Sequence, residues 1–178
     1  VMYKIDSPLT GVTTESIELS FRTAQPDGVI FYIRNTPIVT YFELARGQPV
    51  VVVDTGYKNI YLRPATNGPL NDNQWHEVKL HRDGNTISIN IDSQHYDAKE
   101  LGGGSGNQQI LTGGYVYLGL ADPNNINLSD KRTFVGEMVR GKVTINNIQQ
   151  KVVQQPYYWP SQQQQQQSLQ PTFTTNQT

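Results

Sequence analysis

A regular alternation of apolar and polar residues constrains the fold of this chain more than any other feature of its sequence. In the stretch "ESIELSFRT", Ile17, Leu19 and Phe21 fall on one side of an extended backbone, and polar residues fall on the other. Successive side chains point to opposite faces of a β-strand, so this period indicates a strand with one buried and one solvated face. The stretch is therefore predicted to be a half-buried strand.

Further extended segments follow at short intervals along the chain. The segments "VIFYIR", "VTYFELAR" and "PVVVVD" are rich in β-branched and aromatic residues, and turns rich in Gly and Asn separate them. No stretch of about twelve residues has a clean helical period. The pattern predicts an almost entirely β domain, either a sandwich or a barrel closed by short turns.

The stretch from Leu70 to Asp92 places Trp75, His76 and His81 within seven residues. Alternation along a strand directs His76 toward the core and directs Trp75 and His81 to the other face. Imidazoles on opposite faces cannot converge on one metal ion or on one substrate. We therefore interpret His76 as a hydrogen-bonded residue at the rim of the core, and Trp75 as a packing anchor.

Composition excludes several classes of function. Fourteen Lys and Arg residues stand against fifteen Asp and Glu residues, and the net charge of −1 is unlike that of a nucleic-acid or anionic-membrane binder. The absence of cysteine excludes disulfides, thiolate metal sites and a cysteine nucleophile. No apolar run approaches the roughly 20 residues that a membrane-spanning helix needs. We therefore predict neither a nucleic-acid partner nor direct insertion of this segment into a membrane.

Three motifs in order carry a resemblance to a known family. The motifs are "FRTAQPDGVIFY", "LNDNQWHEV" and "FVG". With them, residues 1–148 resemble a laminin G-like (LNS) domain and are most similar to those of the neurexins. The resemblance implies a jelly-roll β-sandwich of two curved antiparallel sheets, of the concanavalin and laminin G type. It also implies a non-enzymatic adhesion or receptor module at the cell surface or outside the cell, as one domain of a larger neurexin-like protein that is secreted or anchored to a membrane.

The chain departs from the family pattern at two places. Family members commonly carry a Cys directly after the "F-x-G" motif, where this chain has Glu137. Many members also hold a calcium ion through a strand Asp, and this position falls on Thr40. A hydroxyl is a poor substitute for the carboxylate oxygen that Ca²⁺ prefers, and the ordinary role of Asp54 and Asp122 in such sequences is to cap turns. No cofactor is therefore predicted, and a calcium site is disfavoured rather than excluded.

An enzymatic role lacks support in the sequence. Glycoside hydrolases with this type of fold use two carboxylates, and no closely spaced pair alternates along one strand here. The nucleophile elbow G-x-S-x-G of serine hydrolases is also missing. The chain is predicted to be a binding module without catalytic residues.

An extracellular protein is the predicted partner. Binding residues concentrate on loops of a rigid scaffold, and four residues are nominated on loops expected at one rim of the sandwich. These residues are Thr40, Asp122, Asn124 and Asn125.

A glycan is the alternative partner, either a sulfated glycosaminoglycan or a lectin-type ligand. Arg140 and Lys142 are two positions apart, and we expect them on one strand face as its contact residues. A separate motif, Asn127-Leu-Ser, is a candidate N-glycosylation sequon.

The C-terminal segment differs in composition from the rest of the chain. Residues 149–178 are rich in Gln and Pro and poor in charge. Such a segment buries too little apolar surface to offset the entropy of ordering. It is predicted to be a disordered tail or linker that follows a folded domain of residues 1–148.

Overall fold

Two sheets built mainly of antiparallel strands pack face to face and enclose the core. The computed structural model describes residues 2–5, 11–102, 110–111, 113–150, 152–155 and 172–174. Within these ranges nearly all regular structure is β, together with one short 3-10 helix at Ile126–Leu128. The predicted all-β sandwich is confirmed.

Each sheet has a continuous strand order. The first sheet contains, from edge to edge, β13 (Val152–Gln155), β1 (Met2–Ile5), β10 (Tyr115–Leu118), β3 (Gly28–Asn35), β4 (Ile38–Ala45), β5 (Gln48–Asp54) and β6 (Asn59–Leu62). The second sheet contains β12 (Ile148–Gln149), β11 (Glu137–Ile145), β2 (Thr14–Arg22), β7 (His76–Asp83), β8 (Thr86–Ile91) and β9 (His95–Glu100). A further strand, β14 (Thr172–Thr174), lies beside β11.

The core lies between the inner faces of the two sheets. Ile17, Leu19 and Phe21 of β2 are buried in it, as their alternation predicts. Phe21 meets Phe42 and Phe134 edge to face, with ring centroids 6.0 and 6.1 Å apart. Such edge-to-face pairs add to the free energy of burial, and they hold the two sheets in contact at the centre of the sandwich.

A β-bulge interrupts β11. Met138 and Val143 are both buried in the core although they are five positions apart, an odd offset that places two residues on opposite faces of a regular strand. The pairing with β2 changes register between Arg140 and Val143, which returns the later apolar residues to the inner face. A Cβ on Gly141 would lie 2.5 Å from the backbone oxygen of Glu18, so only glycine allows the strands to approach this closely.

A fully buried ion pair joins β2 to β7. Arg82 Nε donates to Glu15 Oε2 at 2.8 Å, and both side chains have no exposed surface. The same carboxylate accepts the backbone N–H groups of Ile110 and Leu111 at 2.8 and 2.9 Å. Arg82 also donates to the backbone oxygen of Gly84 at 2.7 Å. These bonds fasten residues 110–111 to the second sheet and satisfy both buried charges.

His76 joins three chain segments through its two ring nitrogens. Nδ1 lies 2.7 Å from Asp92 Oδ2, and Nε2 lies 2.8 Å from Asp72 Oδ1. Asp92 also accepts the N–H of Glu77 at 2.8 Å, so the loop before β7, the strand itself and the turn after β8 are held together. The interpretation of His76 as a hydrogen-bonded residue at the core rim is confirmed.

The two carboxylates require a charged imidazole. Neutral imidazole has one N–H, whereas imidazolium donates from both nitrogens, one to each carboxylate. Burial of the ring acts to lower the pKa of His76, but the hydrogen bonds to Asp92 and Asp72 outweigh it and raise the pKa. In the same way, burial acts to raise the pKa of Asp72, and the hydrogen bond with His76 lowers it overall.

Stability should therefore decrease as pH rises above the ordinary pKa of histidine, about 6.5. A raised pKa of His76 contributes stability that is complete below the unfolded value of about 6.5 and is lost as pH rises through the folded value. We expect the thermal midpoint to fall as pH increases above about 6.5, and a His76→Gln variant to lose this part of the pH dependence. His81 does not produce the same loss of stability with rising pH. Burial and Lys79 lower the pKa of His81, so its contribution to stability changes at pH values below about 6.5. Equal slopes for His76→Gln and the unmodified chain in scanning calorimetry would contradict this assignment.

Trp75 is not a packing anchor. Its side chain is 44% exposed on the outer face of the second sheet. The guanidinium of Arg22 lies 5.2 Å from the centre of the ring, and Arg22 also pairs with Glu137. The strand alternation correctly predicted that Trp75 lies away from the core, but none of the described elements covers Trp75 on that face.

Two parts of the predicted tail have strand conformation. β13 pairs antiparallel with β1 over Met2–Ile5, and β14 pairs in parallel with β11 over Glu137–Val139. Both findings differ from the disorder predicted for residues 149–178. Apart from β14, the part of that segment beyond Gln155 lies outside the described residues, and so does the stretch "PYYWP".

Candidate partner-binding site

The connection between β10 and β11 lies flat across the outer face of the first sheet. This connection, residues 119–136, is called the strap below. Its apolar residues Leu120, Ala121 and Leu128 pack on a second cluster of buried side chains, separate from the core between the sheets. The first sheet is therefore covered on both faces over part of its width.

A row of tyrosines lies under the strap. Tyr117, Tyr32 and Tyr41 are direct cross-strand neighbours on β10, β3 and β4, and all three are buried. The rings of Tyr32 and Tyr117 meet edge to face at 5.7 Å. Burial raises the pKa of Tyr32 and of Tyr41. The continuous apolar run in β3 is the sequence signal for this arrangement, because a strand buried on both faces lacks polar alternation.

Among the described residues, three side-chain hydrogen bonds anchor the strap to β3 and β4, in addition to backbone bonds such as that from Val29 N to Arg132 O at 2.9 Å. The side-chain bonds are Arg34 Nη1 to Asp122 Oδ2 at 2.8 Å, Asn125 Nδ2 to Tyr32 Oη at 3.1 Å, and Lys131 Nζ to Glu43 Oε1 at 2.9 Å. The Lys131 ammonium also lies 5.9 Å from the centre of the Tyr41 ring. Each anchor joins a partly buried donor to an acceptor on the facing element, so the strap has a defined position on the sheet.

The structure brings three of the four nominated residues together in the strap. Asp122 is 3% exposed, and its Oδ1 accepts from the backbone N and from Nδ2 of Asn124 at 3.0 and 3.2 Å. Asn125 caps the 3-10 helix by accepting from the N–H of Asn127 at 3.2 Å. Asp122 and Asn125 therefore shape the strap, while Asn124 is exposed on it.

Thr40 lies elsewhere. Its side chain is 1% exposed on the inner face of β4, away from the strap, and within the described residues its Oγ1 has no hydrogen-bond partner. A partner cannot reach this side chain in the folded structure, so Thr40 is not part of the site developed below. The binding roles of Asp122, Asn124 and Asn125 stay predictions.

Many laminin G domains hold a calcium ion through a strand Asp, and the resemblance places that position at Thr40, which has no carboxylate oxygen. The position of the expected carboxylate, Thr40, faces the core. Across the described ranges, no three His, Asp or Glu side chains lie close enough together to hold a metal ion. Calcium prefers six to eight oxygen ligands that include carboxylates. The prediction of no bound metal remains to be tested in solution.

The outward surface of the strap is polar around one apolar side chain. Ile126 is 80% exposed at the start of the 3-10 helix, and Asn124 and Asn127 beside it are also exposed. A cleft of about 640 Å³ lies along the strap and is bounded on its far side by Gln25 and Asp27. The strap thus offers a fixed, mostly polar surface with an apolar centre.

The basic residues nominated for a glycan have an acidic neighbour. Lys142 Nζ lies 3.7 Å from Glu18 Oε2, and Lys79 Nζ lies 3.1 Å from Glu18 Oε1. The side chain of Arg140 is outside the described part of the structure. Glu18 offsets part of the positive charge that a sulfated ligand would need, although the glycan role itself stays a prediction.

Comparisons with known proteins agree with the fold. Mouse laminin α1 domains LG4-5 superpose with a TM-score of 0.64 at 17% identity, over 84% of this chain and 40% of that one. Neural-cadherin of Drosophila melanogaster is 33% identical over 97 residues, which are 48% of this chain and 3% of that protein. Mouse neurexin-2 is 37% identical over 76 residues, 42% of this chain and 4% of neurexin-2. The chain thus spans only a few per cent of the length of these two relatives.

A family model described as "Laminin G domain" matches residues 21–148. The matched range contains β3 to β11, the strap and the His76 network, and hence most of both sheets. In the described residues, no helix is both long and apolar enough to span a bilayer. The chain belongs to the laminin G domain family.

Proposed function

We propose that this laminin G domain is a non-enzymatic extracellular adhesion module, part of a larger protein, that binds a protein partner through the outward surface of the strap. The observation that carries the proposal is the exposed Ile126 at the centre of a loop that three polar contacts hold in place. Protein interfaces commonly combine an apolar centre with a polar rim. Ile126, flanked by Asn124 and Asn127, has this arrangement.

The anchoring contacts support binding by reducing its entropic cost. A mobile loop loses conformational freedom when a partner immobilises it, and a loop already fixed on a scaffold loses less. Here Asp122 and Asn125 fix the loop from below while Ile126 points outward. The residues that hold the strap and those that would contact a partner are therefore different residues.

A parallel screen tests the proposal. The full chain is applied to arrays of extracellular proteins and of sulfated glycans, together with Ile126→Asp and the control Ile148→Asp, an exposed isoleucine on β12. We expect a protein ligand whose affinity falls at least about tenfold, or about 1.4 kcal/mol, in Ile126→Asp and is unchanged in the control. A protein ligand insensitive to Ile126→Asp would show that the strap is not the contact surface.

The same screen tests the glycan alternative. A glycan ligand alone, bound with steep salt dependence and lost when Arg140 and Lys142 are both replaced by alanine, would replace the protein-binding proposal. A protein ligand whose affinity is unchanged by that double substitution would favour the strap as the contact surface.

The sequon at Asn127 is exposed on the strap, and we propose its N-glycosylation as an alternative to protein binding there, because a bulky glycan beside Ile126 would compete with a partner for the same surface. After expression through a secretory pathway, glycosidase treatment should reduce the mass of the chain, and Ser129→Ala should abolish the shift that arises at Asn127. A second sequon, Asn176-Gln-Thr, lies outside the described residues, and Thr178→Ala is its matched control. Intact-mass spectrometry that shows no glycan on the Thr178→Ala variant would contradict the assignment of Asn127.

A further inference from the structure

The outer edge of β11 is only partly covered. β11 pairs with β2 on one side, whereas on the other side β12 pairs with Thr144 and Ile145 alone. A strand edge presents unpaired N–H and C=O groups that can pair with another extended chain. At the opposite end of this edge, the stretch Glu137–Val139 pairs with β14, a segment of the chain's own C-terminal region.

β14 is a replaceable strand. It is three residues long and runs parallel to β11, with Thr172, Phe173 and Thr174 opposite Glu137, Met138 and Val139. Parallel pairing is slightly less stable per residue than antiparallel pairing, and a strand this short has little stability of its own. In the described part of the chain, no strand other than β11 pairs with it. It is thus bound at one edge only.

The described residues of β14 pair with three residues of this edge, Glu137 to Val139. Pairing between β11 and β2 keeps a regular register from Glu137 to Arg140, and the bulge follows. The N–H of Gln150 bonds to the oxygen of Val143 at 2.7 Å and closes the far side. An incoming segment that pairs along the whole of Glu137–Arg140 would form a longer ladder than β14 does.

Glu137, at this edge, forms an ion pair with the neighbouring strand. Glu137 pairs with Arg22 on the neighbouring strand, and the Arg22 guanidinium lies 5.2 Å from the centre of the exposed Trp75 ring. Because this pair neutralises the charge of Glu137, an uncharged segment fits beside β11 at this position.

We propose that the outer edge of β11 at Glu137–Arg140 is a strand-accepting site for an extended, uncharged segment of a protein partner, and that β14 occupies this site within the chain itself. The sequence Thr-Phe-Thr indicates the chemistry that fits: β-branched and aromatic residues without charge. This edge belongs to the second sheet and the strap to the first, so either proposal can fail without the other.

Peptide binding to the full chain tests the site. The variant Phe173→Pro removes a backbone N–H and restricts φ in β14, which should free the edge. A fluorescent peptide of residues 170–176 should then bind the variant saturably in anisotropy measurements. It should bind the unmodified chain about tenfold more weakly, because a tethered segment competes at an effective concentration in the millimolar range. The same peptide carrying the Phe173→Pro substitution is the matched control and should bind neither chain.

Hydrogen exchange gives a second measure on the same proteins. Amides of Glu137–Arg140 should exchange faster in Phe173→Pro than in the unmodified chain, and the wild-type peptide should restore their protection. Thr172→Pro is a second variant of the same strand and should behave alike. Equal peptide affinities for both chains, binding to neither, or unchanged exchange in β11 would each overturn the proposal. Concentration-dependent dimerisation that Phe173→Pro abolishes would assign the edge to a second copy of this chain and overturn its assignment to a separate partner.

Discussion

Replacing Arg82 by methionine should lower the free energy of unfolding by about 3–5 kcal/mol, as expected when one partner of a buried ion pair is removed. The guanidinium of Arg82 is the countercharge of Glu15, and neither side chain reaches solvent. Methionine has a similar reach but leaves the Glu15 carboxylate, which accepts the N–H groups of Ile110 and Leu111, buried without the guanidinium. Urea denaturation followed by tryptophan fluorescence measures the loss.

A more exposed ion pair between the same two strands, β2 and β7, provides the control. Lys79 lies 3.1 Å from Glu18 and is half-exposed, so Lys79→Met should change the free energy of unfolding by less than about 1 kcal/mol. Similar effects of the two substitutions would show that burial does not decide the contribution of these pairs. A loss below about 1 kcal/mol for Arg82→Met would contradict the fully buried ion pair.

Tyr32→Ala should lower the free energy of unfolding by about 3–5 kcal/mol, the usual cost of truncating a large buried aromatic side chain. Tyr32 lies between the first sheet and the strap, where its ring meets Tyr117 and its hydroxyl accepts from Asn125. Truncation removes this packing and one anchor of the strap together. The substitution should therefore also raise hydrogen exchange throughout residues 119–136, beyond what global destabilisation alone produces.

The conservative variant Tyr32→Phe separates the two contributions. It keeps the ring and removes only the hydrogen bond from Asn125, so the expected cost is about 1 kcal/mol. Denaturant titration of both variants gives the comparison. If Tyr32→Phe lowers the free energy of unfolding as much as Tyr32→Ala does, the strap is stabilised by the hydroxyl group and not by the packing of the ring.

The strands were predictable because local alternation determines them. Ile17, Leu19 and Phe21 show a period of two, and all three lie in the core. The same alternation also contains the buried ion pair. Glu15 lies two residues before Ile17 and Arg82 two residues after Leu80, so each falls on the inner face, and the two pair directly across β2 and β7. Opposite charges at inward positions were the available signal for this pair.

The position of the strap was not predictable from the sequence. Its anchors join residues far apart in the chain, such as Arg34 with Asp122 and Glu43 with Lys131, and no local pattern encodes such pairings. The residues nominated for binding were polar loop residues, and this property does not distinguish Asn124, which is exposed, from Asp122, which is buried. Ile126 was missed because a single apolar residue in a polar loop has no periodicity.

Trp75 shows a second limit of prediction from the alternation of residues along a strand. Alternation gives the face of a sheet on which a side chain lies, but it does not say whether another element covers that face. The strap covers part of the outer face of the first sheet, whereas Trp75 on the outer face of the second sheet is exposed. The tail illustrates the same limit, since its composition gave no sign that Val152–Gln155 would extend the first sheet.

The three anchors of the strap separate the residues that can change freely from those that cannot. Asp122, Asn125 and Lys131 are constrained by their contacts with β3 and β4, whereas Asn124, Ile126 and Asn127 face solvent between them. Related domains that keep the anchoring residues can therefore diversify the exposed ones without loss of the fold. With the strap as the proposed contact surface, this arrangement would let duplicated copies of such a domain acquire different ligands while the sandwich beneath them stays the same.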